Sequence, residues 1–173
     1  LLYIFSLFLW YNSFVWNTQR KGFICHMKKS LDEKEPDKIV RPAIPDSVQD
    51  LIEFVSSIVF ETGMEDDKVK TIGLAIEEVV QNIIEFACPE GKEEITISCE
   101  LLDSGATLIH IWDTGKPFNM LLAGTFPEVE LVSAHEKIPS TKMLKKAVKN
   151  IEYIRGKDKN ILILTIPPVR GRN

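Results

Sequence analysis

Between residues 38 and 168 the apolar positions fall into blocks of distinct period. Val48, Leu51, Ile52, Val55, Ile58 and Val59 recur at helical spacing and predict one apolar helix face. Asp46-Ser47 stand where an N-cap belongs, and Gly63 stops the run. A second, longer helix is predicted from about Glu65 to Ala87, with acids in its first turn, where the helix dipole favours them. Pro89-Glu90-Gly91 closes it. Ile95, Ile97 and Cys99 then alternate with Thr96, Ser98 and Glu100, and Thr107–Trp112 returns after an Asp103-Ser104-Gly105 turn. From Gly115 to about Pro139 no clean period appears, and structureless stretches of that length inside a domain are usually lids or disordered. A helix from Thr141 to about Lys149 follows. Ile151–Arg155 and Ile161–Ile166 then form a hairpin across a Gly156–Asn160 turn, and Pro167-Pro168 ends it. With a short extended run at Lys38–Ile44, the order predicts an α/β (α+β) two-layer sandwich. It has a mainly antiparallel mixed sheet and helices on one face.

The 173 residues suffice for one such domain, placed at 38–168. Hydrophobic residues make up 45% and charged residues 27%, and the net charge of -4 gives no bulk attraction to nucleic acid or to an anionic membrane. Cys25, Cys88 and Cys99 fit no metal spacing, and the three histidines form no ligand pair, which reads as a reduced, cytoplasmic protein.

Residues 1–26 stand apart. LLYIFSLFLWYNSFVW is almost wholly apolar, but at 16 residues it falls short of the roughly 20 needed to span a bilayer. Its basic residues follow the apolar run, the reverse of a signal peptide. The first methionine, Met27, opens a native-looking start, so upstream translated sequence is favoured over a membrane anchor. Residues 27–37 read as a flexible charged tail and 169–173 as a C-terminal tail.

The chemistry concentrates in GLAIEEVVQNIIEFA, residues 73–87. Glu77, Glu78, Gln81, Asn82 and Glu85 share the polar side, which suits an ordinary solvated helix face. Glu78 and Asn82, however, are i and i+4 and stack on one stripe at the edge of the apolar arc. A carboxylate there can orient and deprotonate a nucleophile, and a carboxamide oxygen is a hard ligand suited to magnesium. The run IHIWDTGKPFN, residues 109–119, ends a strand in Asp113-Thr114-Gly115, which is either a turn or a pocket floor.

LAIEEVVQNIIEFA resembles the E-x-x-x-N helix of the GHKL, or Bergerat-fold, ATPases, and IWDTGKPFN looks like their D-x-G motif. The form D-x-G-x-P-F is similar to the bacterial anti-sigma factor serine/threonine kinases, and Arg41–Ser47 before a helix resembles how that branch begins. The resemblance implies the Bergerat fold and ATP with Mg2+ as cofactors. Glu78 would be the general base or polarising carboxylate and Asn82 the magnesium ligand. Asp113 would accept from the adenine amino group, Gly115 would let backbone approach the base, and Pro117 and Phe118 would complete the motif. Thr165 is offered as a water-mediated adenine contact, although a satisfied strand hydroxyl is the plainer reading. The implied partners are a STAS-domain anti-anti-sigma protein, phosphorylated on serine, and a sigma factor held out of transcription, with a homodimer also admitted.

The family's second glycine box falls on Ile138-Pro139-Ser140-Thr141, where both glycines are absent and Pro139 lacks an N–H. Ser140 and Thr141 remain as caps or phosphate donors at that helix start, with Lys142, Lys145 and Lys146 nearby. Phe86 stands where the family often has His, and Asn119 where it usually has Asp. The adenine half of the implied pocket is intact in sequence and the triphosphate half is rewritten. Two functions follow: an ATP-dependent kinase and anti-sigma factor, or a non-catalytic partner-switching module with weak or no nucleotide binding.

Overall fold

Five strands form one sheet in the order β1-β2-β3-β5-β4, with every neighbouring pair antiparallel. The computed structural model describes residues 36–122, 139–148 and 150–169, all within the unit Glu35–Asn173. The expectations for residues 1–26, for nearly all of the charged tail, for the centre of the presumed lid with Ile138, and for the last four residues lie outside those described.

The strands are β1 (Asp37–Pro42), β2 (Glu94–Leu101), β3 (Thr107–Asp113), β4 (Asn150–Arg155) and β5 (Asn160–Ile166). The helices are α1 (Val48–Glu61), α2 (Asp66–Asn82) and the short α3 (Lys142–Ala147). Two consecutive helices between β1 and β2 return the chain to its starting end, so those strands pair antiparallel rather than as a parallel crossover. β3 and β4 run in the same direction, but β5 lies between them, which is why the expected mixed pairing does not occur.

Alternation decides which face is covered. Ile95, Ile97 and Cys99 of β2, Ile109 and Ile111 of β3, and Leu162, Leu164 and Ile166 of β5 are all buried. They form one core with Leu51, Val55 and Val59 of α1, Ile72, Ile76, Val79 and Val80 of α2, and Leu144 of α3. Each fully buried aliphatic side chain contributes about 1.5–3 kcal/mol relative to exposure. The alternate positions Leu108, Trp112, Ile161 and Ile163 are only partly buried, and in β2 they are the small polar Thr96 and Ser98, which are buried, so the apolar core lies on one face of the sheet.

Two helix ends differ from expectation. Pro45–Ser47 is a 3-10 turn running straight into α1, and no side chain caps that helix; Ser47 is buried instead. The second helix changes character at Ile83: Ile83–Ala87 is a single π turn, closed by Cys88 N–H donating to the Ile83 carbonyl at 2.8 Å. Ala87 is the last residue of that turn, so its carbonyl has no partner within the helix and accepts from outside it. At the end of α1, Gly63 takes φ 80°, the left-handed conformation that glycine adopts without strain.

Candidate functional site

The apolar rows of the sheet stop at one end and a polar row begins. β3 register pairs Asp113 with Ile95 on one side and Asn160 on the other, and Asn160 pairs with Arg155. Asp113 and Asn160 thus sit side by side on the helix-facing surface, 2% and 4% exposed. Asp113 Oδ1 accepts from Gly115 N (2.9 Å), from Asn160 Nδ2 (2.8 Å) and from the Cys88 thiol (3.7 Å). Its other oxygen, Oδ2, takes part in none of these bonds and is free to face a donor.

Burial raises the Asp113 carboxyl above the usual carboxylate range, opposed by the hydrogen bonds from Asn160, Gly115 and Cys88 and by the charge of Arg155. Burial also pushes the Cys88 thiol up to about 12, with the charges of Asp113 and Glu93 adding to it. Cys88 is therefore a neutral S–H donor and not a nucleophile.

Asn160 is the hub of this end of the sheet. Its Nδ2 also donates to the Lys116 carbonyl (3.0 Å), and its Oδ1 accepts from Phe118 N (3.2 Å), Tyr153 Oη (2.8 Å) and Arg155 Nη1 (2.9 Å). Arg155 Nη1 also donates to the Gly115 carbonyl at 3.2 Å. The segment 115–118 is fixed by side chains of β4 and β5 that sequence reasoning assigned only to a hairpin and its turn. Aligning the strand start Asn160 opposite the strand end Asp113 would have found it, because both are polar residues bounding apolar runs.

Gly115 has a reason of its own. A Cβ there would stand 2.5 Å from the Ala87 carbonyl oxygen, 2.7 Å from its carbon and 2.7 Å from Cys88 Sγ. The close approach is to the π turn after α2, and Lys116 N–H donates to that same Ala87 carbonyl at 3.0 Å. Next to it the rings of Phe86 and Phe118 stack with centroids 5.3 Å apart and planes at 21°. Pro117 is exposed. Thr165, by contrast, pairs with Leu108 and Asn150 on the other sheet face, well along β5 from Asp113, so the adenine contact suggested for it is not available.

The other half of the site is built by α2 against α3. Glu78 Oε1 accepts from Ser140 Oγ (2.6 Å) and Lys142 N (3.1 Å), and its Oε2 accepts from Leu144 N (2.9 Å). The Glu78 carboxylate therefore caps α3 from outside, while Thr141, at the N-cap position, makes no side-chain cap bond. Asn82, 6% exposed, donates its Nδ2 to the Ser140 carbonyl at 2.6 Å. Glu78 and Asn82 do share a stripe, and both bond the segment 140–144, Asn82 through its Nδ2 alone.

The first half presents a buried carboxylate with one oxygen outside its internal bonds, near two aromatic rings stacked on each other. The second half as arranged leaves a triphosphate no free donor at α3: the N–H groups of Lys142 and Leu144 and the Ser140 hydroxyl all go to Glu78, while Asn82 bonds Ser140 through Nδ2 and its Oδ1 takes part in none of these bonds. Among the described residues no group of three His, Cys, Asp or Glu side chains could hold a metal ion.

A two-layer sandwich whose sheet ends in a buried aspartate, with an E-x-x-x-N helix packed on it, has the layout of an ATPase domain. The family model described as the histidine kinase-like ATPase domain matches residues 41–166, and the chain belongs to that family. Comparison with curated proteins gave no match. Among solved structures, the RsbU and RsbW domains of Rv1364c from Mycobacterium tuberculosis align at TM-score 0.54 and 18% identity, over 78% of this chain and 32% of that one. This chain thus spans about a third of that protein's length, and the likeness shows a shared fold. The nucleotide-free catalytic domain of histidine kinase ThkA aligns at TM-score 0.47 and 14% identity, over 78% of this chain and 96% of that one. A histidine kinase domain from Erythrobacter litoralis aligns at 0.44 and 17%, over 79% and 69%. No helix among the described residues is long and apolar enough to cross a membrane.

Proposed function

We propose that the chain is an anti-sigma-type regulatory factor whose adenine pocket controls partner exchange between a STAS-domain protein and a sigma factor. The observation that carries this reading is the Asp113 site: a buried carboxylate with Oδ2 spared, fixed by Asn160 and Gly115 at the end of β3. The adenine amino group would donate to Oδ2, and the Phe86–Phe118 pair would flank the ring. Support for the anti-sigma branch comes from the D-x-G-x-P-F form of residues 113–118. Membership of the ATPase family and a fold shared with a chain that carries an RsbW domain are consistent with it.

The same geometry favours a binding module over a kinase. Activation of a serine hydroxyl by Glu78 needs a carboxylate turned toward that hydroxyl, and both Glu78 oxygens accept bonds from the segment 140–144. The serine kinase stands as a second reading on one observation: Glu78 and Asn82 lie one turn apart and both face Ser140, so a single movement of that residue's segment would release them together. Mg2+ would bind at Asn82 through Oδ1, the oxygen that its bond to Ser140 does not use.

Size-exclusion chromatography of the full chain with the STAS-domain and sigma proteins of its own genome, with and without ATP, tests the proposal. A complex that changes partner on adding an adenine nucleotide supports it. Absence of any complex with either class of protein rules it out, and phosphate transfer to the STAS serine selects the kinase.

A further inference from the structure

The two halves of the site are at odds, and the disagreement has a chemical consequence. Glu78 and Ala87 are nine residues apart, so α2 and the π turn that continues it join the Asp113 end of the site to its α3 end. At the α3 end the backbone N–H groups of Lys142 and Leu144 and the hydroxyl of Ser140 are already satisfied by a carboxylate of the chain itself. Asn82 adds a bond to the Ser140 carbonyl, which fixes the segment from its other side. No flexible glycine remains at positions 138–141 to let that segment move away, and Pro139 offers no N–H. Lys142, Lys145 and Lys146 are exposed, and the Glu78 oxygens are met by a hydroxyl and by backbone groups rather than by their ammonium groups. A polyphosphate entering here would have to displace Glu78 or lie beside its negative charge, and either is unfavourable.

We propose that Glu78 is a specificity-determining residue of this pocket: clasped to α3, it excludes a phosphate chain, so the preferred ligands are adenine nucleosides. This rests on the reading of Asp113 as an adenine acceptor and adds the ligand class. Glu78 then works as a fixed internal anion, and its place in the sequence reflects closure of the site rather than proton transfer.

Isothermal titration of the full chain with adenosine, AMP and ATP, each with and without magnesium, tests this in the wild type and in Glu78→Gln. Glutamine keeps an acceptor oxygen toward α3 and removes the charge. In the wild type, adenosine is expected to bind at least as tightly as ATP, and magnesium is expected to change nothing. In Glu78→Gln the ratio of ATP to adenosine affinity is expected to rise at least tenfold while adenosine binding stays, which also shows that the variant is folded. Should Glu78→Gln fail to fold, Ser140→Ala, which deletes one clasp bond, is expected to raise the same ratio. Wild-type ATP binding tenfold tighter than adenosine, or a ratio unmoved by both substitutions, overturns the proposal. Absence of binding by all three ligands in wild type and variants overturns the adenine reading itself, a distinguishable result.

Discussion

Replacing Gly115 by alanine separates a structural glycine from a ligand-driven one. The added methyl carbon would lie 2.5 Å from the Ala87 carbonyl oxygen and 2.7 Å from both its carbon and Cys88 Sγ. The first two are backbone atoms at the π turn, so no flexible side chain can swing aside. The chain must instead move the D-x-G segment off α2. Overpacking of this kind costs about 1–3 kcal/mol. The movement also stretches the 3.0 Å bond from Lys116 N–H to the Ala87 carbonyl, worth about 1 kcal/mol. Together these give about 2–4 kcal/mol, which for a domain of this size lowers the melting temperature by roughly 10 °C. Thermal and urea unfolding of the variant without any ligand are the measurements. A melting temperature unchanged within about 2 °C would refute the packing argument and return Gly115 to a role in ligand approach alone.

Substituting Asp113 by asparagine keeps an acceptor for Gly115 N and Asn160 Nδ2 and replaces Oδ2 by a donor. Because burial raises the folded carboxyl's pKa above its ordinary value of 3.8, the folded state holds this proton more tightly than the unfolded chain. Its contribution to stability is full below that value and fades as pH rises from there through the folded pKa, so the variant should gain on wild type as pH rises above 3.8. Melting curves across that range check the sign, and a relative loss would contradict it. Asn160→Ala strips partners from Asp113, Tyr153, Arg155, Phe118 N and the Lys116 carbonyl, and should cost about 3 kcal/mol or more by denaturant unfolding. Asn160→Asp places a second carboxylate beside Asp113, so its stability should fall further as pH rises, read from the same melts.

Much of the fold was legible because burial is one-sided. Ile95, Ile97, Cys99 and their partners on β3 and β5 alternate cleanly, and α1 carries a single apolar stripe, so element type followed directly from period. What periodicity does not carry is pairing across the sheet. The same information gap explains why Asn160 was read as a turn residue and Thr165 was weighed as a contact: only the β3–β5 register shows which faces Asp113. The changes at the N-terminus of α1 and at Ile83–Ala87 are also tertiary, since Gly115 and Lys116 pack on the Ala87 carbonyl and no local propensity announces a π turn. In the site, the spacing of Glu78 and Asn82 was readable as a shared stripe. Their partner, the segment 140–144, lies some 60 residues on, and nothing local to α2 reveals that its carboxylate caps another helix.

Titration of the full chain with adenosine, wild type against Asp113→Asn, tests the central claim most directly. Saturable binding by the wild type, absent from a variant whose melting transition shows it folded, is the predicted result. Equal binding by both proteins would contradict an adenine pocket anchored at Asp113.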